Sequence, residues 1–435
     1  IMSCVGLIAL KRPFHKIMTG TLKPILGYLM LAAGAGVIVS NLDPLGKMIE
    51  HGFHITGVVP NNEAIVAVAQ KVLGVETMSI LVVGLLMNLL IARFTKFKYV
   101  FLTGHHSLFM ACLMSAVLGT AGLSGIELIL VGGFLMGAWS AISPAIGQSY
   151  TSKVTDGDEI ALGHFGSLGY YLSAWVAKYV GKAEESTEDI EIPEKWGFLR
   201  DSTLSTALTM IVFYLIAAIA AGSEFVATLS GSMSPYLFAV MSAMNFAVGV
   251  AIVYSGVRMI LGDLIPAFQG IATKIIPNAI PAVDCAVFFT YAPTAVVLGF
   301  ISSFIGGIIG MLILGAVGGV LIIPGLVPHF FCGATAGIYG NATGGRRGAA
   351  VGAFLNGLAI TFLPALALPV LGQLGFQNTT FGDADFAVMG LVLGNAFEWI
   401  GMAGIYGVVV IAALVLIIPN FIKTKGKVIN YVEEE

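Results

Sequence analysis

Residues 285–345 run for 61 positions without an Asp, Glu, Lys or Arg. A bilayer-spanning helix needs about 20 consecutive apolar residues, so this run alone has room for two or three crossings. A water-soluble fold could not make a surface from it. Residues 225–257 are likewise uncharged, and 99–152 carry Glu127 as their one charge. Over the whole chain 57% of residues are hydrophobic and 10% charged, with a mean hydropathy of +0.94, whereas a soluble domain is about 25% charged. The sequence predicts an all-α polytopic membrane protein, its 55 glycines marking close helix contacts and broken helices.

Composition removes other classes. A net charge of -3 offers nothing to a nucleic acid. Cys4, Cys112, Cys285 and Cys332 lie in apolar context without a CxxC, which reads as core packing and not as a disulfide framework or zinc site. No cofactor or metal is expected. The opening "IMSCVGLIAL" is half a span that runs into "KRPFHK", so it reads as the end of a helix begun upstream and not as a signal peptide.

Basic residues set the orientation, because Lys and Arg collect in cytoplasmic loops. Lys11, Arg12, Lys16 and Lys23 place the first loop inside; Arg93, Lys96 and Lys98, the polar stretch 153–200, Arg258 and the C-terminal "KTKGK" fall on the same side. The predicted passes lie near 25–40, 78–92, 99–120, 126–148, 203–221 and 235–257.

An internal echo accompanies this. A shift of 222 residues superposes Gly34 on Gly256, Ile38 on Ile260, Leu42 on Leu264, Pro44 on Pro266, and Asn62 on Asp284. A shift of 221 pairs Gly104 with Gly325 and Phe109 with Phe330. Five passes separate the copies, so two inverted repeats are expected, the arrangement of alternating-access transporters. The expected organisation is a first repeat over 1–182, a cytoplasmic linker over 183–202, a second repeat over 203–420 and a cytoplasmic tail over 421–435. Segments 57–68, 157–181, 278–289 and 386–407 are interrupted by Gly, Pro or polar residues, and each predicts a re-entrant hairpin whose backbone is tolerated only against protein or water.

Ionisable groups at membrane depth are costly and point to function. His105 and His106 follow Gly104. On a helix they point about 100° apart, so His105 is expected to face a ligand and His106 to pack. His164 sits between Gly163 and Gly166, which admit close approach of backbone or ligand. Asp284 is one carboxylate ahead of the uncharged run, with Lys274 or Arg258 as competing ion-pair partners. Asn61, Asn62 and Glu63 form the matching cluster in the first repeat, Glu63 also suiting a helix cap. Glu398 and Trp399 are further candidates near the last break; His329 reads as core, and His15, His51 and His54 as interfacial.

"GTLKPILGYLMLAAGAGVIVSNLDPL", "RFTKFKYVFLTGHH", "GDEIALGHFGSLGYYLSAW" and "RMILGDLIPAFQGIATKIIPNAIPAVDCAVFFTYAPTAVVLGF" together resemble the ascorbate-type membrane subunits of the bacterial phosphoenolpyruvate-dependent sugar phosphotransferase system. The resemblance covers nearly the whole chain. It implies about eleven transmembrane helices with re-entrant hairpins, a homodimer in the bacterial inner membrane, and a scaffold domain beside a core domain that moves as an elevator. It also implies IIB and IIA partner subunits, the former phosphorylating L-ascorbate on the cytoplasmic side. The implied substrate contacts are Asn62, Glu63, Gly104, His105, His106, Ser107, Leu108, Phe109, Gly163, His164, Phe165 and Asp284, with Asp284 or His105 orienting the attacking hydroxyl. The family pattern would have a Thr–Tyr pair at Asn62–Glu63 and glutamines at Phe109 and Phe165, so a related acidic sugar or polyol is an alternative ligand. An ion-coupled transporter of organic anions would share the repeats and hairpins. A haem-binding carrier would need facing histidine pairs on separate helices.

Overall fold

The computed structural model describes residues 2–54, 57–60, 62–157, 159–190, 202–372 and 379–421. In chain order these form α1 (Met2–Ala9), α2 (Phe14–Gly52), β1 (Val59–Pro60), α3 (Asn62–Phe94), β2 (Tyr99–Phe101), α4 (Gly104–Thr120), α5 (Gly125–Thr155), β3 (Ala161–Leu162) and α6 (Ser167–Val180). There follow α7 (Ser202–Ala221), α8 (Ser223–Ser230), α9 (Pro235–Lys274), β4 (Ile280–Val283), α10 (Pro293–Ala316), α11 (Leu326–Gly372), β5 (Thr379–Thr380), α12 (Ala384–Ile400) and α13 (Met402–Ile417).

Seven helices among the described residues are long and apolar enough to cross a membrane, or eight if the bent pair α7–α8, turned by 117° at Gly222, counts as one span. Their outward faces carry large apolar side chains such as Ile219, Leu312 and Ile411, each more than half exposed and suited to lipid. The protein is a helical, multi-pass membrane protein. Its helices meet through small residues: a Cβ on Gly299 would lie 2.4 Å from the Gly333 carbonyl oxygen, and one on Gly357 2.0 Å from that of Ser303, which fastens α10 to α11.

The helix breaks differ from expectation in an informative way. Of the predicted hairpin 57–68, Val59–Pro60 is strand β1, and from Asn62 onward its residues run without a break into the pass 78–92 as one helix, α3. The predicted pass 99–120 divides into β2 and α4, and 278–289 becomes β4 followed by a short 3₁₀ helix, Cys285–Thr290. Backbone freed by a break inside a membrane has no water to bond, so it must pair with protein. Here breaks pair with breaks. β4 lies between β2 and β3, all parallel, with Tyr99 opposite Ile280 and Ala161 opposite Ala282. β1 pairs in parallel with β5, Pro60 opposite Thr380, while Val58 bridges Ile322 on its other side. The chain is therefore not purely helical. Gly401, with φ 60°, breaks α12 from α13 inside the predicted segment 386–407.

Part of the segment joining α6 to α7 is docked. The Glu188 carboxylate accepts the backbone N–H groups of Thr294 and Ala295, at 3.0 and 3.2 Å, and the Thr294 hydroxyl at 2.9 Å, capping α10. The Thr187 N–H reaches Asn341 Oδ1 at 2.8 Å, and the Arg346 N–H reaches the Glu185 carbonyl at 2.8 Å. The latter contact lies where α11 is broken by Gly344 and by Gly345, whose φ is 59°. The rest of the expected linker and nearly all of the expected tail lie outside the described residues.

Candidate functional site

Each central strand delivers a polar residue at its end: Asn62 just beyond β1, Asp284 just beyond β4. Asp284 caps the 3₁₀ helix through Oδ1, which accepts the Ala286 N–H at 3.0 Å. Its Oδ2 has no hydrogen-bond partner among the described residues and lies 3.3 Å from His105 Nε2. Lys274 and Arg258 are exposed, and the described ion pair of Asp284 is with His105.

At the start of α4 the two histidines diverge. The His105 side chain is 44% exposed, whereas His106 is buried, its ring 3.7 Å from that of His164 and stacked on Phe386. His106 Nδ1 accepts the Phe165 N–H at 3.3 Å. His164 Nδ1 accepts the Gly166 N–H at 3.1 Å and lies 2.9 Å from the Tyr170 hydroxyl.

Asp383 and Asp385 were not singled out from the sequence. Asp383 Oδ2 accepts the Asn62 amide N–H at 2.7 Å, and Oδ1 accepts the Cys332 thiol at 3.0 Å and lies 3.8 Å from His164 Nδ1. Asn62 Oδ1 in turn accepts the Gly382 N–H at 2.9 Å. Asp385 is fully buried and accepts from the Ser167 hydroxyl, the Leu168 N–H and the Trp139 indole N–H, at 2.7, 2.9 and 3.2 Å. Its own N–H bonds the Phe165 carbonyl at 3.0 Å, so it fixes the turn that carries His164. The signal was present in "GDADF": two carboxylates two residues apart, opening an apolar run.

These groups border one cavity of about 650 Å³. His105, His106, Phe109, His164, Asp284 and Asn62 line it with Cys285, Cys332 and Asp383, facing a wall of α2 that runs from Tyr28 to Glu50. Of the other residues singled out from the sequence, Ser107 bonds back to the Thr103 carbonyl, Leu108 packs in the apolar core around α4, and Phe165 is buried and stacked on Phe101. Gly104 starts α4 with open space where a Cβ would stand. Gly163 serves strand approach: a Cβ there would lie 2.4 Å from the Ala282 carbonyl oxygen of β4. Asn61 and the side chain of Glu63 lie outside what is described. Glu398 and Trp399 are exposed at the end of α12, His329 is buried 2.9 Å from the Ser303 hydroxyl, and His51 stacks on Phe225. Among the described residues, two sets of three donor atoms lie within 4.8 Å of one another, His106–His164–Asp383 and His164–Asp284–Cys285.

A multi-pass helical protein whose broken helices enclose a largely apolar cavity set with His, Asp and Asn side chains has the build of a permease. The chain matches the family described as the PTS system sugar-specific permease component, EIIC-GAT, over residues 1–385, and it belongs to that family. It is also 25% identical over 403 residues to the ascorbate-specific PTS system EIIC component of Mycoplasma pneumoniae; the match covers 79% of this chain and 60% of that relative's length.

Proposed function

We propose that the chain binds L-ascorbate, or a related acidic sugar or polyol, in this cavity and carries it to the cytoplasm, where a separate IIB subunit phosphorylates it. One observation carries the reading: Asp284 Oδ2, 3.3 Å from His105 Nε2 and without a hydrogen bond among the described residues, stands in a cavity lined with polar groups from both halves of the chain. An unsatisfied carboxylate oxygen at this depth is expensive unless a ligand hydroxyl completes it. The ascorbate-specific relative supports the choice of substrate.

The proposed path follows from charge placement. With the basic stretch Lys11–Lys23 at the start of α2 inside, α2 would run outward and carry the cavity-lining Asp43, Lys47 and Glu50 toward the outside. Two inverted repeats are part of the proposal. Shifted by 222, Phe14–Gly52 covers 236–274, against Pro235–Lys274 for α9; the Tyr99–Ile280 pairing of one sheet becomes the Val58–Ile322 bridge of the other within one residue. Such halves suit an elevator motion of a core domain against a scaffold in a homodimer of eleven-helix protomers. At the inner position the phosphocysteine of IIB would donate its phosphoryl group: the S–P bond breaks, an O–P bond forms, and the hydroxyl proton passes to Asp284 as acceptor. Phosphorylation adds about two negative charges, which opposes return of the product.

The test is binding of labelled ascorbate to wild type, Asp284→Asn and His105→Ala. Loss of a charge-assisted contact is expected to weaken binding on the order of 10- to 100-fold. Equal affinity in all three proteins overturns the site. Accumulation in proteoliposomes driven by a proton or sodium gradient, without phosphodonor proteins, overturns the phosphotransferase step.

A further inference from the structure

We infer that His106 and His164 are held as neutral imidazoles with the proton on Nε2, so that the cavity presents two fixed N–H donors beside one carboxylate acceptor, Asp284. The assignment follows from groups that can only donate. A backbone N–H has no lone pair, so a ring nitrogen that accepts from it must be bare. His106 Nδ1 accepts from the Phe165 N–H, and His164 Nδ1 accepts from the Gly166 N–H. The Tyr170 hydroxyl, 2.9 Å from the same Nδ1, must then donate as well. A neutral ring with a bare Nδ1 carries its hydrogen on Nε2.

Doubly protonated rings would aim an N–H at an N–H, so the two turn amides also disfavour the cations. The surrounding charges do not reverse this. His106 faces His105 and His164, both basic, and Asp383, whose carboxylate lies within 4.8 Å of it. His164 faces Asp383, whose two carboxylate oxygens already accept from Asn62 and Cys332, and Asp284, which pairs with His105. Neither Nε2–H has an acceptor among the described residues, and neither is sealed away from the cavity. A ligand oxygen in the cavity would supply the acceptor that each N–H lacks among the described residues.

The same lock argues against a resident metal at His106–His164–Asp383. A ligating histidine donates its second ring N–H to an acceptor, whereas here the second nitrogens receive hydrogen bonds. Polarity then selects the ligand class: lone pairs toward the histidines and a hydroxyl toward Asp284, as in a hydroxylated anion. An ammonium-bearing sugar would oppose two fixed donors. The selection deepens the function proposed above and rests on it for the identity of the ligand; the tautomer does not.

The experiment is ¹⁵N spectroscopy of histidine-labelled, full-length wild type in nanodiscs, with ring signals assigned by His105→Gln, His106→Gln and His164→Gln. Two neutral Nε2–H rings are expected, unchanged between about pH 6 and pH 8, where a free imidazole titrates. An Nδ1–H ring or a titrating ring at either position overturns the assignment. Added ascorbate is expected to shift both Nε2 signals, and glucosamine neither. If ascorbate fails to bind wild type, the substrate reading falls while the unliganded spectrum still decides the tautomers.

Discussion

Phe109 and Phe165 stand where the resemblance leads one to expect glutamines, and the two positions are not equivalent. Phe109 borders the cavity edge-on to His105, with ring centroids 5.8 Å apart. Phe165 lies behind the histidines, stacked on Phe101 at 4.6 Å. Phe109→Gln is therefore expected to tighten ascorbate binding several-fold, to about tenfold, by adding a donor and acceptor at the cavity wall. Phe165→Gln is expected to place an amide among aromatic rings and to lower the melting temperature in detergent, at a cost of about 1–3 kcal/mol. Isothermal titration and a thermal melt separate the two; equal behaviour would mean the side chains share one environment. Much of this scale was legible beforehand. An imidazole pair and a lone Asp stand out in apolar sequence because ionisable groups are rare there. Asp383 and Asp385 did not stand out, since nothing local shows that a carboxylate will meet Asn62 or cap α6 across more than 200 residues of chain.

Helices α10 and α11 touch backbone to backbone. The Gly357 position leaves 2.0 Å between a built Cβ and the Ser303 carbonyl oxygen, both on rigid helix backbone, so neither can yield cheaply. Gly357→Ala is expected to destabilise the protein by about 1–3 kcal/mol. Gly36 of α2 has nothing within 4 Å, and Gly36→Ala there should be neutral or stabilising by up to about 1 kcal/mol. Melting temperatures of the two variants in one detergent check the pair, and a tolerated Gly357→Ala would show that α10 can move off α11. Element existence was readable from hydropathy, but element ends were not. Gly and Pro announce that 278–289 breaks, yet the pattern is silent on whether the freed backbone bends back as a hairpin or pairs with a distant break. The latter is a tertiary choice, made by the need to bond every peptide group away from water.

Across the whole molecule the halves interlock. The central strand β4 of the second half is flanked by β2 and β3 of the first, and β1 of the first is flanked by β5 and the residues near Ile322 of the second. Neither half can complete its own sheet. Cutting the chain between residues 195 and 196 and co-expressing both pieces is expected to give a complex that copurifies from detergent, while either piece alone is expected to aggregate or be degraded. A well-behaved monodisperse half would contradict this. The inverted echo in the sequence hinted at two related halves, though not at how they exchange strands, because two- to four-residue strands leave no periodicity to read.

The Glu188 cap ties the segment after α6 to the start of α10. The carboxylate is exposed, yet it holds the first turn of α10, which begins nine residues after Asp284. Whatever displaces residues 186–188 takes that cap with it and frees the first turn of α10, a short stretch of chain beyond Asp284.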